Sequence, residues 1–354
     1  MLITASHNPG QWNGLKFLDS EGLAPDPEQV RRISEIRDGG GGRNIKDGFQ
    51  RVAFDDGAGE RHVEAVLAAV EADLAPVRGL RVVLDSVNGA GCAHSPALLA
   101  ALGCDVIHVN GEPTGIFAHP PEPIRENLAS TCRTVVDTKA AVGFVQDPDA
   151  DRLALIDERG EFIGEEYTLA LATAAVLARR RGPVAANLST SRLIDDIAAR
   201  HGVPVLRTPV GEAHVARAIV RENCVFGGEG NGGVIDPRVS LVRDSLTGMS
   251  QIVQYLAERG KTLSELVAEL PAYAGIKEKL EVPRSRIDEA IDAVARTFAG
   301  EKLNRSDGVR VDFAEGWVHL RASNTEPIVR LMGEARDAAA ARSLVSRVRE
   351  AAGL

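Results

Sequence analysis

From residue 80 onward, short apolar runs alternate with longer segments whose apolar residues recur every three or four positions. The short runs are typical of buried strands and the longer segments of helices. This alternation predicts mainly parallel sheets covered on both faces, and therefore successive three-layer α/β domains. The predicted strands cover residues 80–85, 105–109, 141–145, 184–188 and 203–206. The predicted helices cover residues 96–102, 127–138, 165–181, 191–201, 212–222 and 247–259.

Beyond Pro271 the pattern becomes that of an α+β module, with a hairpin turn at Glu315-Gly316. Strands are predicted over 277–282, 309–313, 317–322 and 329–334, and helices over 286–299 and 337–352. We therefore expect four units in the chain. They are a first unit over 1–62, α/β domains over 63–163 and 164–272, and a C-terminal α+β domain over 273–354.

The composition narrows the class of protein. Of 354 residues, 44% are hydrophobic and 26% charged, which is enough for packed cores. The formal net charge of -9, without a Lys/Arg-rich run, argues against general nucleic-acid binding. Four cysteines without metal-ligand spacing predict free thiols in a reducing compartment. We see neither a membrane-spanning apolar run nor a signal-peptide pattern, so we expect a cytoplasmic protein without membrane partners.

The first of four polar loops that could carry chemistry is Thr4-Ala5-Ser6-His7-Asn8-Pro9. The Asn-Pro pair favours a turn, so Ser6 would lie on a fixed loop and not inside a helix. A hydroxyl held in this way can attack or carry a phosphoryl group. Lys16, which follows the turn-like Asn13-Gly14, could neutralise phosphate or move a proton. An ordinary Ser turn is the alternative.

The second loop, Asp147-Pro148-Asp149-Ala150-Asp151-Arg152, directly follows a predicted strand. The carboxyl end of a parallel strand is where α/β proteins bind ligands. Three crowded carboxylates repel one another unless a cation neutralises them. Hard oxygen ligands without His or Cys favour Mg²⁺ over zinc. The loop therefore predicts a magnesium site, with a solvated acidic loop as the alternative.

The third loop is Gly227-Gly228-Glu229-Gly230-Asn231-Gly232-Gly233. Its glycine content argues against the interior of a strand. Glu229 and Asn231 could each bridge two neighbouring sugar hydroxyls. A plain β-turn explains the sequence equally well.

The fourth loop is Arg321-Ala322-Ser323-Asn324-Thr325-Glu326-Pro327, with Arg330 close behind. Two arginines, three hydroxyl or amide side chains and backbone N–H groups could together bind a dianion such as phosphate. A surface turn with unrelated charges is the alternative.

The ordered set TASHNP, DPDADR, GEGNGG and RASNTEP resembles the α-D-phosphohexomutase family. The set runs from Thr4 to Pro327, and the segments NGLKF, DSVNGAG, GEPTGIFAHPPEP and GEEYTLAL are similar as well. The resemblance implies interconversion of hexose 6-phosphate and hexose 1-phosphate through a phosphoserine. It also implies a Mg²⁺ cofactor, a phosphosugar substrate, and a hexose 1,6-bisphosphate as activator and intermediate.

The resemblance further implies a role for individual residues of the four loops. The implied metal ligands are Ser6, as its phosphate, and Asp147, Asp149 and Asp151. The implied catalytic residues are Ser6, His7, Lys16 and Arg152. The implied substrate-binding residues are Glu229 and Asn231 for sugar hydroxyls, and Arg321, Ser323, Asn324, Thr325 and Arg330 for the phosphate that is not being transferred.

The chain departs from the family pattern in two places. Many members have a Ser and a closing His in the sugar loop, where this chain has Asn231 and Gly233. The variant is similar to a branch acting on glucosamine phosphate, so we expect that substrate, with glucose or mannose phosphate as alternatives. Members also carry most of an α/β domain before the Ser loop. We therefore expect residues 1–62 to be a remnant of domain 1, with exposed apolar surface.

Two other hypotheses stay open at this point. The chain could be an inactive phosphosugar-binding or oligomerisation relic, or a phosphatase or phosphotransferase using the same Ser and Mg²⁺. Release of inorganic phosphate from glucose 1-phosphate would distinguish a phosphatase from a mutase. For the assembly we expect a monomer or a homodimer.

Overall fold

The computed structural model describes residues 1–8, 11–39, 53–323 and 328–354. The elements predicted from the sequence occur in the predicted order, with ends shifted by a few residues, and further elements that were not predicted lie before and between them. The helices are α1 (Pro27–Asp38), α2 (Ala58–Ala68), α3 (His94–Ala101), α4 (Ala129–Thr138), α5 (Glu165–Arg179), α6 (Leu193–Arg200), α7 (Glu212–Glu222), α8 (Ser245–Arg259), α9 (Leu263–Ala268), α10 (Arg284–Thr297) and α11 (Ala338–Ala351). The strands are β1 (Leu2–Ile3), β2 (Leu15–Lys16), β3 (Arg81–Asp85), β4 (Asp105–Val109), β5 (Val142–Gln146), β6 (Leu153–Asp157), β7 (Val184–Asn187), β8 (Val205–Thr208), β9 (Phe226–Glu229), β10 (Gly233–Ile235), β11 (Ala274–Glu281), β12 (Lys302–Asn304), β13 (Val309–Asp312), β14 (Gly316–Ala322) and β15 (Ile328–Ala335).

The N-terminal segment forms a small ribbon that carries exposed apolar side chains, as expected from the sequence. Strands β1 and β2 pair antiparallel as a two-stranded sheet. Leu2 is 50% exposed and Ile3 is 70% exposed. Leu23 is buried against Val215 and Ile219 of α7, which anchors this segment on the third unit of the chain.

Two four-stranded sheets follow, and they have the same topology. Their strand orders are β4-β3-β5-β6 and β8-β7-β9-β10. In each sheet the first strand in sequence runs parallel to the next two, and the fourth runs antiparallel to the third. The sheets are therefore mixed rather than wholly parallel, because each unit ends in a hairpin-like return. The α/β class predicted from the sequence is confirmed.

The two α/β units share one apolar core. Helices α5 and α8 pack against each other, and both are buried along most of their length. The core cluster joins Leu84 and Phe144 of the first sheet to Phe226 and Val234 of the second. Because this core is continuous, the loops at the ends of both sheets are held in a fixed relation.

The C-terminal unit is an antiparallel sheet with two helices, and it has a core of its own. The strand order is β11-β15-β14-β13-β12. Helices α10 and α11 cover one face, where Val309, Val318, Leu331 and Leu344 belong to a separate cluster. The predicted α+β class of this module is confirmed. Within the described part of the chain, every helix is too short or too polar to cross a membrane.

Candidate active site

The Ser loop meets the aspartate loop of the second unit. Ser6 has a left-handed backbone, with φ of 49°, and its Oγ donates to Asp147 Oδ2 at 2.9 Å. Thr4 Oγ1 accepts from the Ser6 backbone N–H at 2.9 Å and donates to Asp149 Oδ2 at 2.9 Å. Ser6 is therefore held beside the carboxylate cluster by its hydroxyl, which contacts Asp147, and by its backbone N–H, which contacts Thr4.

The three aspartates lie in the turn between β5 and β6. One carboxylate oxygen of each of Asp147, Asp149 and Asp151 lies within 4.8 Å of the others. Ala150, with φ of 59°, turns the chain back, and Asp147 Oδ1 accepts from the N–H groups of Asp151 and Arg152 at 3.2 and 3.1 Å. These contacts make the turn compact.

The aspartate cluster has the properties of a cation site. Burial, and then repulsion from Asp151 and Asp149, raise the pKa of Asp147 well above its ordinary value. Among the described residues, Asp149 Oδ1 and Asp151 Oδ1 are buried without a hydrogen-bond partner. Buried carboxylate oxygens without partners are costly unless a cation binds them. The donor set, oxygen only, suits a hard divalent cation.

His7 and Arg152 border the Ser6 hydroxyl. His7 Nδ1 lies 3.3 Å from Ser6 Oγ. Burial, and then the charges of Arg152 and Arg243, lower the pKa of His7 to about 4. Arg152 Nε lies 3.8 Å from both Asp147 Oδ2 and Asp151 Oδ1. The structure thus brings an imidazole that is neutral near pH 7 to the hydroxyl, and a permanent cation to the Asp147 carboxylate that accepts from this hydroxyl.

Lys16 forms an ion pair with a carboxylate of helix α7. Its Nζ pairs with Glu212 Oε1 at 2.9 Å, at the start of α7. Burial opposes the charge of Glu212, but Arg243 and then Lys16 outweigh it, so the pKa of this carboxyl is lowered. Lys16 therefore joins the first segment to the third unit at the edge of the site.

The glycine-rich loop is a hairpin, so the expectation that it lies outside strands is wrong at both of its ends, where residues 227–229 belong to β9 and Gly233 to β10. Glycine is needed at Gly227 and Gly228 because their neighbours leave no room for side chains. A Cβ on Gly227 would lie 2.6 Å from Ala185 O, and one on Gly228 would lie 2.3 Å from Gly233 O. The sheet accepts glycine here because the backbones approach closely.

Glu229 ends β9 with its carboxylate held by other protein groups. Its Oε1 accepts from Asn187 Nδ2 at 2.7 Å and from the Gly211 N–H at 3.0 Å, and its Oε2 accepts from Arg243 at 3.0 Å. Asn231 stands at the tip of the turn, where its Oδ1 accepts from the Gly233 N–H at 3.3 Å. The turn is thus rigid, with Asn231 as its apical side chain.

The fourth loop joins β14 and β15. Arg321 and Arg330 face each other across these strands, and Arg321 Nε donates to Asp307 Oδ2 at 2.8 Å. Ser323 is held in the ladder by its N–H bond to Ile328 O at 2.9 Å. The predicted ligands Asn324 and Thr325 lie outside the described residues. Two arginines on one cross-strand pair concentrate positive charge and favour an anion between them.

The sequence analysis missed Arg243. This residue follows β10 and bonds to Asp151, Glu212 and Glu229, so it links two of the four loops. Its neighbour Asp244 caps α8 by accepting from Leu246 N and Thr247 N, which is a recognisable sequence signal. The partners of Arg243 are far apart in sequence, however, and no local pattern identifies them.

Sequence comparisons match four successive domains. Phosphoglucomutase/phosphomannomutase alpha/beta/alpha domains I, II and III match residues 1–40, 60–160 and 164–273, and the C-terminal domain of the same family matches residues 277–351. A "Probable phosphoglucosamine mutase" of Methanopyrus kandleri is 41% identical over 97% of this chain and 76% of that protein. A "Phosphoglucomutase/phosphomannomutase" of Thermococcus kodakarensis is 40% identical over 96% and 75%.

Solved structures give the same result. A phosphoglucomutase/phosphomannomutase family protein of Burkholderia thailandensis superposes with a TM-score of 0.84 at 26% identity, covering 99% of this chain and 76% of that one. A putative phosphomannomutase of Thermus thermophilus superposes with a TM-score of 0.76 at 27% identity, covering 98% and 77%. With four domains matched in order and relatives at about two-fifths identity, the chain belongs to the phosphoglucomutase/phosphomannomutase family of phosphohexomutases.

Proposed function

We propose that this phosphohexomutase interconverts glucosamine 6-phosphate and glucosamine 1-phosphate. The observation that carries the proposal is the Ser6 hydroxyl, 2.9 Å from Asp147 within a three-aspartate cluster. A hydroxyl in that place is suited to carry a phosphoryl group beside a bound cation. The choice of glucosamine is supported by the relative named a probable phosphoglucosamine mutase and by the Asn231–Gly233 variant of the sugar loop.

The proposed cofactor is Mg²⁺, held by Asp147, Asp149 and Asp151 with a phosphate oxygen on Ser6 as a further ligand. Bound Mg²⁺ would neutralise the charge that develops on the phosphoryl group in transfer. Support comes from the two buried oxygens without partners, Asp149 Oδ1 and Asp151 Oδ1. Oxygen-only ligands of this kind are the ones Mg²⁺ prefers.

The residues around Ser6 have distinct proposed roles. His7 stays neutral near pH 7 because its pKa is about 4, so its ring can exchange a hydrogen bond with the Ser6 hydroxyl. Arg152 supplies a fixed positive charge beside the transferring group. Lys16, paired with Glu212, is the proposed proton carrier.

The substrate is proposed to span the cleft. Glu229 and Asn231 bind sugar hydroxyls, while the phosphate that is not being transferred lies between Arg321 and Arg330. Ser323, Asn324 and Thr325 are the proposed remaining ligands of that phosphate. After Ser6 has given its phosphoryl group to the free hydroxyl, the 1,6-bisphosphate turns end for end and returns the other group to Ser6. The phosphate-binding loop must therefore accept either end of the sugar.

The proposed units are 1–62, 63–163, 164–272 and 273–354, each contributing one of the four loops. The proposed partners are the phosphosugar and hexose 1,6-bisphosphate as activator, and the proposed assembly is a monomer or a homodimer. A second candidate substrate pair, glucose or mannose phosphate, is favoured by the relative named phosphoglucomutase/phosphomannomutase at 40% identity.

Substrate choice is tested by measuring kcat/KM for the 1-phosphates of glucosamine, glucose and mannose with the same enzyme preparation. We expect glucosamine 1-phosphate to be preferred by about tenfold or more, the discrimination that one altered polar contact gives. A higher kcat/KM for glucose or mannose 1-phosphate would assign the chain to the second candidate.

The phosphoserine is tested by incubating the protein with glucose 1,6-bisphosphate and measuring its intact mass. We expect a gain of one phosphoryl group in the wild type and none in Ser6→Ala, which should fold normally and lose mutase activity because its phosphoryl carrier is gone. Ser20→Ala, an exposed serine in the same segment, serves as the control and should still be phosphorylated. A phosphorylated, active Ser6→Ala protein would contradict the proposal.

A further inference from the structure

The space beside Gly233 is filled by another side chain. A Cβ on Gly233 would lie 2.2 Å from Arg243 Cδ and 2.8 Å from Arg243 Cγ. The backbone of Gly233 is not left-handed, so steric exclusion and not strain limits this position to glycine. The place where a longer side chain would close the sugar loop is thus taken by Arg243.

Arg243 is held by three carboxylates from three parts of the fold. It bonds to Asp151 in the aspartate turn, to Glu212 Oε2 at the start of α7 at 3.2 Å, and to Glu229 Oε2 in the sugar loop at 3.0 Å. Its side chain is only 11% exposed, and the attraction of these acids outweighs burial and raises its pKa. A planar guanidinium presents five donors in a fixed fork, whereas a lysine offers three donors on a single nitrogen and cannot reproduce that geometry.

The ion-pair network around Arg243 extends to the N-terminal segment. Glu212 also forms an ion pair with Lys16 at 2.9 Å, so this segment is joined to the same network. Asp151 Oδ2 accepts from Arg243, while Asp151 Oδ1 has no hydrogen-bond partner in the described part of the chain. Arg243 therefore orients a carboxylate of the aspartate cluster and leaves its other oxygen without a hydrogen bond.

We propose that Arg243 is a positioning residue that sets the separation between the metal-binding turn and the sugar-binding turn. An arginine stays protonated at neutral pH, so it does not accept a proton in the reaction. Arg243 acts through Glu229 and Asp151, whose carboxylates accept hydrogen bonds from its Nη1 and Nη2 respectively. The inference rests on the proposed function, because it assigns these two turns to cation and sugar.

The first test compares Arg243→Lys with Arg179→Lys. Arg179 is a matched control, since its side chain is 10% exposed and pairs with Glu71 and Glu258 away from the site. We expect Arg243→Lys to lower kcat about 100-fold, as misplacement of reacting groups does. We also expect it to weaken Mg²⁺ binding about tenfold in calorimetric titration, because Asp151 is no longer oriented. Arg179→Lys should leave both quantities near the wild-type values.

The second test is a double-mutant cycle on stability, measured by urea unfolding. Gly233→Ala should destabilise the wild type but have little effect in the Arg243→Ala background, where the Cβ has room. Additive effects would show that Arg243 does not occupy this space and would overturn that part of the proposal. Wild-type kcat and Mg²⁺ affinity in Arg243→Lys would overturn the positioning role. A wild type inactive on every hexose phosphate would instead refute the proposed function, and the Mg²⁺ titration and the cycle would still decide the role of Arg243.

Discussion

Ionisable side chains are buried at several places in the structure, and their surroundings shift their pKa values. Burial raises the pKa of Glu165 and of Glu166 to about 7, and it lowers the pKa of Arg310 to about 10. The carboxylate of Glu166 lies against Gly230 of the sugar loop and accepts from the Ser191 N–H at 3.0 Å. Near neutral pH these two glutamates therefore change protonation readily, unlike surface carboxyls.

His319 gives a pH-dependent contribution to stability. This fully buried side chain donates from Nε2 to Asp307 O at 2.7 Å, and its Nδ1 accepts from Ser189 Oγ at 2.9 Å. Burial, with Arg310 and Arg321 nearby and Asp307 opposing them, lowers its pKa from 6.5 to about 4. The stability it contributes is present above pH 6.5 and is lost as the pH falls towards 4.

We therefore predict that His319→Gln loses less stability than the wild type between pH 6.5 and pH 4. By pH 4 the free energy of unfolding of the wild type should have fallen by about 2–3 kcal/mol more than that of His319→Gln, since each unit of pKa shift corresponds to about 1.4 kcal/mol. Urea unfolding at several pH values measures it. Parallel pH profiles for the two proteins would mean that His319 is protonated in the folded state without cost.

At the site, the residues that could be predicted were those that lie in the four recognisable loops. Ser6 and the three aspartates were predicted as neighbours, and the structure places Ser6 Oγ 2.9 Å from Asp147 Oδ2. Arg243 was missed because it lies outside the four loops, and its contact with Asp151 forms only in the folded chain. The pairing of Lys16 with Glu212 could not be predicted, since Glu212 also lies outside these loops.

At the scale of elements, the glycine-rich hairpin between β9 and β10 depends on Gly232. Its φ is +84°, and a Cβ there would lie 2.3 Å from Leu153 O, just after the aspartate turn. The Gly232 carbonyl also accepts from the Leu153 N–H at 3.1 Å. The hairpin and the aspartate turn therefore touch through backbone as well as through Arg243.

We predict that Gly232→Ala is much more damaging than Gly202→Ala. Gly202 also has a left-handed backbone, with φ of +67°, but nothing lies within 4 Å of its Cβ position. Alanine at Gly202 should cost about 1–2 kcal/mol of stability from backbone strain alone. Gly232→Ala adds a steric clash with the Leu153 carbonyl, so it should cost more and should lower kcat as well. Equal losses in urea unfolding would show that the hairpin shifts without penalty.

The pattern of the chain predicted most elements but not all of them. Helix α7, Glu212–Glu222, has the predicted bounds because its apolar spacing is regular. Strand β6, Leu153–Asp157, was not predicted, since it follows the aspartate loop without a clear turn signal. Strand β9 was excluded because of its glycines, and only the close approach of Ala185 and Gly233 explains them.

At the scale of the whole molecule, the C-terminal unit joins the rest through polar contacts. Arg310 donates to Leu188 O, the Val210 N–H to Asp307 at 3.0 Å, and the Arg192 N–H to Glu334 at 2.9 Å. Its apolar core is separate, whereas the two α/β units share theirs. The sequence predicted the fold class of each unit, but this unequal coupling follows only from the assembled structure.

We predict that the C-terminal unit unfolds separately from the two α/β units. Units without a shared core open as separate cooperative blocks, because few apolar contacts link them. Scanning calorimetry should resolve two transitions. Glucose 1,6-bisphosphate should raise the temperature of the C-terminal transition, because one of its phosphates is proposed to bind that unit. One transition with equal calorimetric and van't Hoff enthalpies would contradict this prediction.

The repeated strand order of the two α/β units has an evolutionary consequence. Duplication of a single four-stranded unit would leave this record, with one hairpin return in each copy. The hairpin return of the first unit carries the aspartate turn, and that of the second carries the glycine-rich turn with Glu229 and Asn231. One strand order therefore presents two chemically different turns at the same position of two sheets.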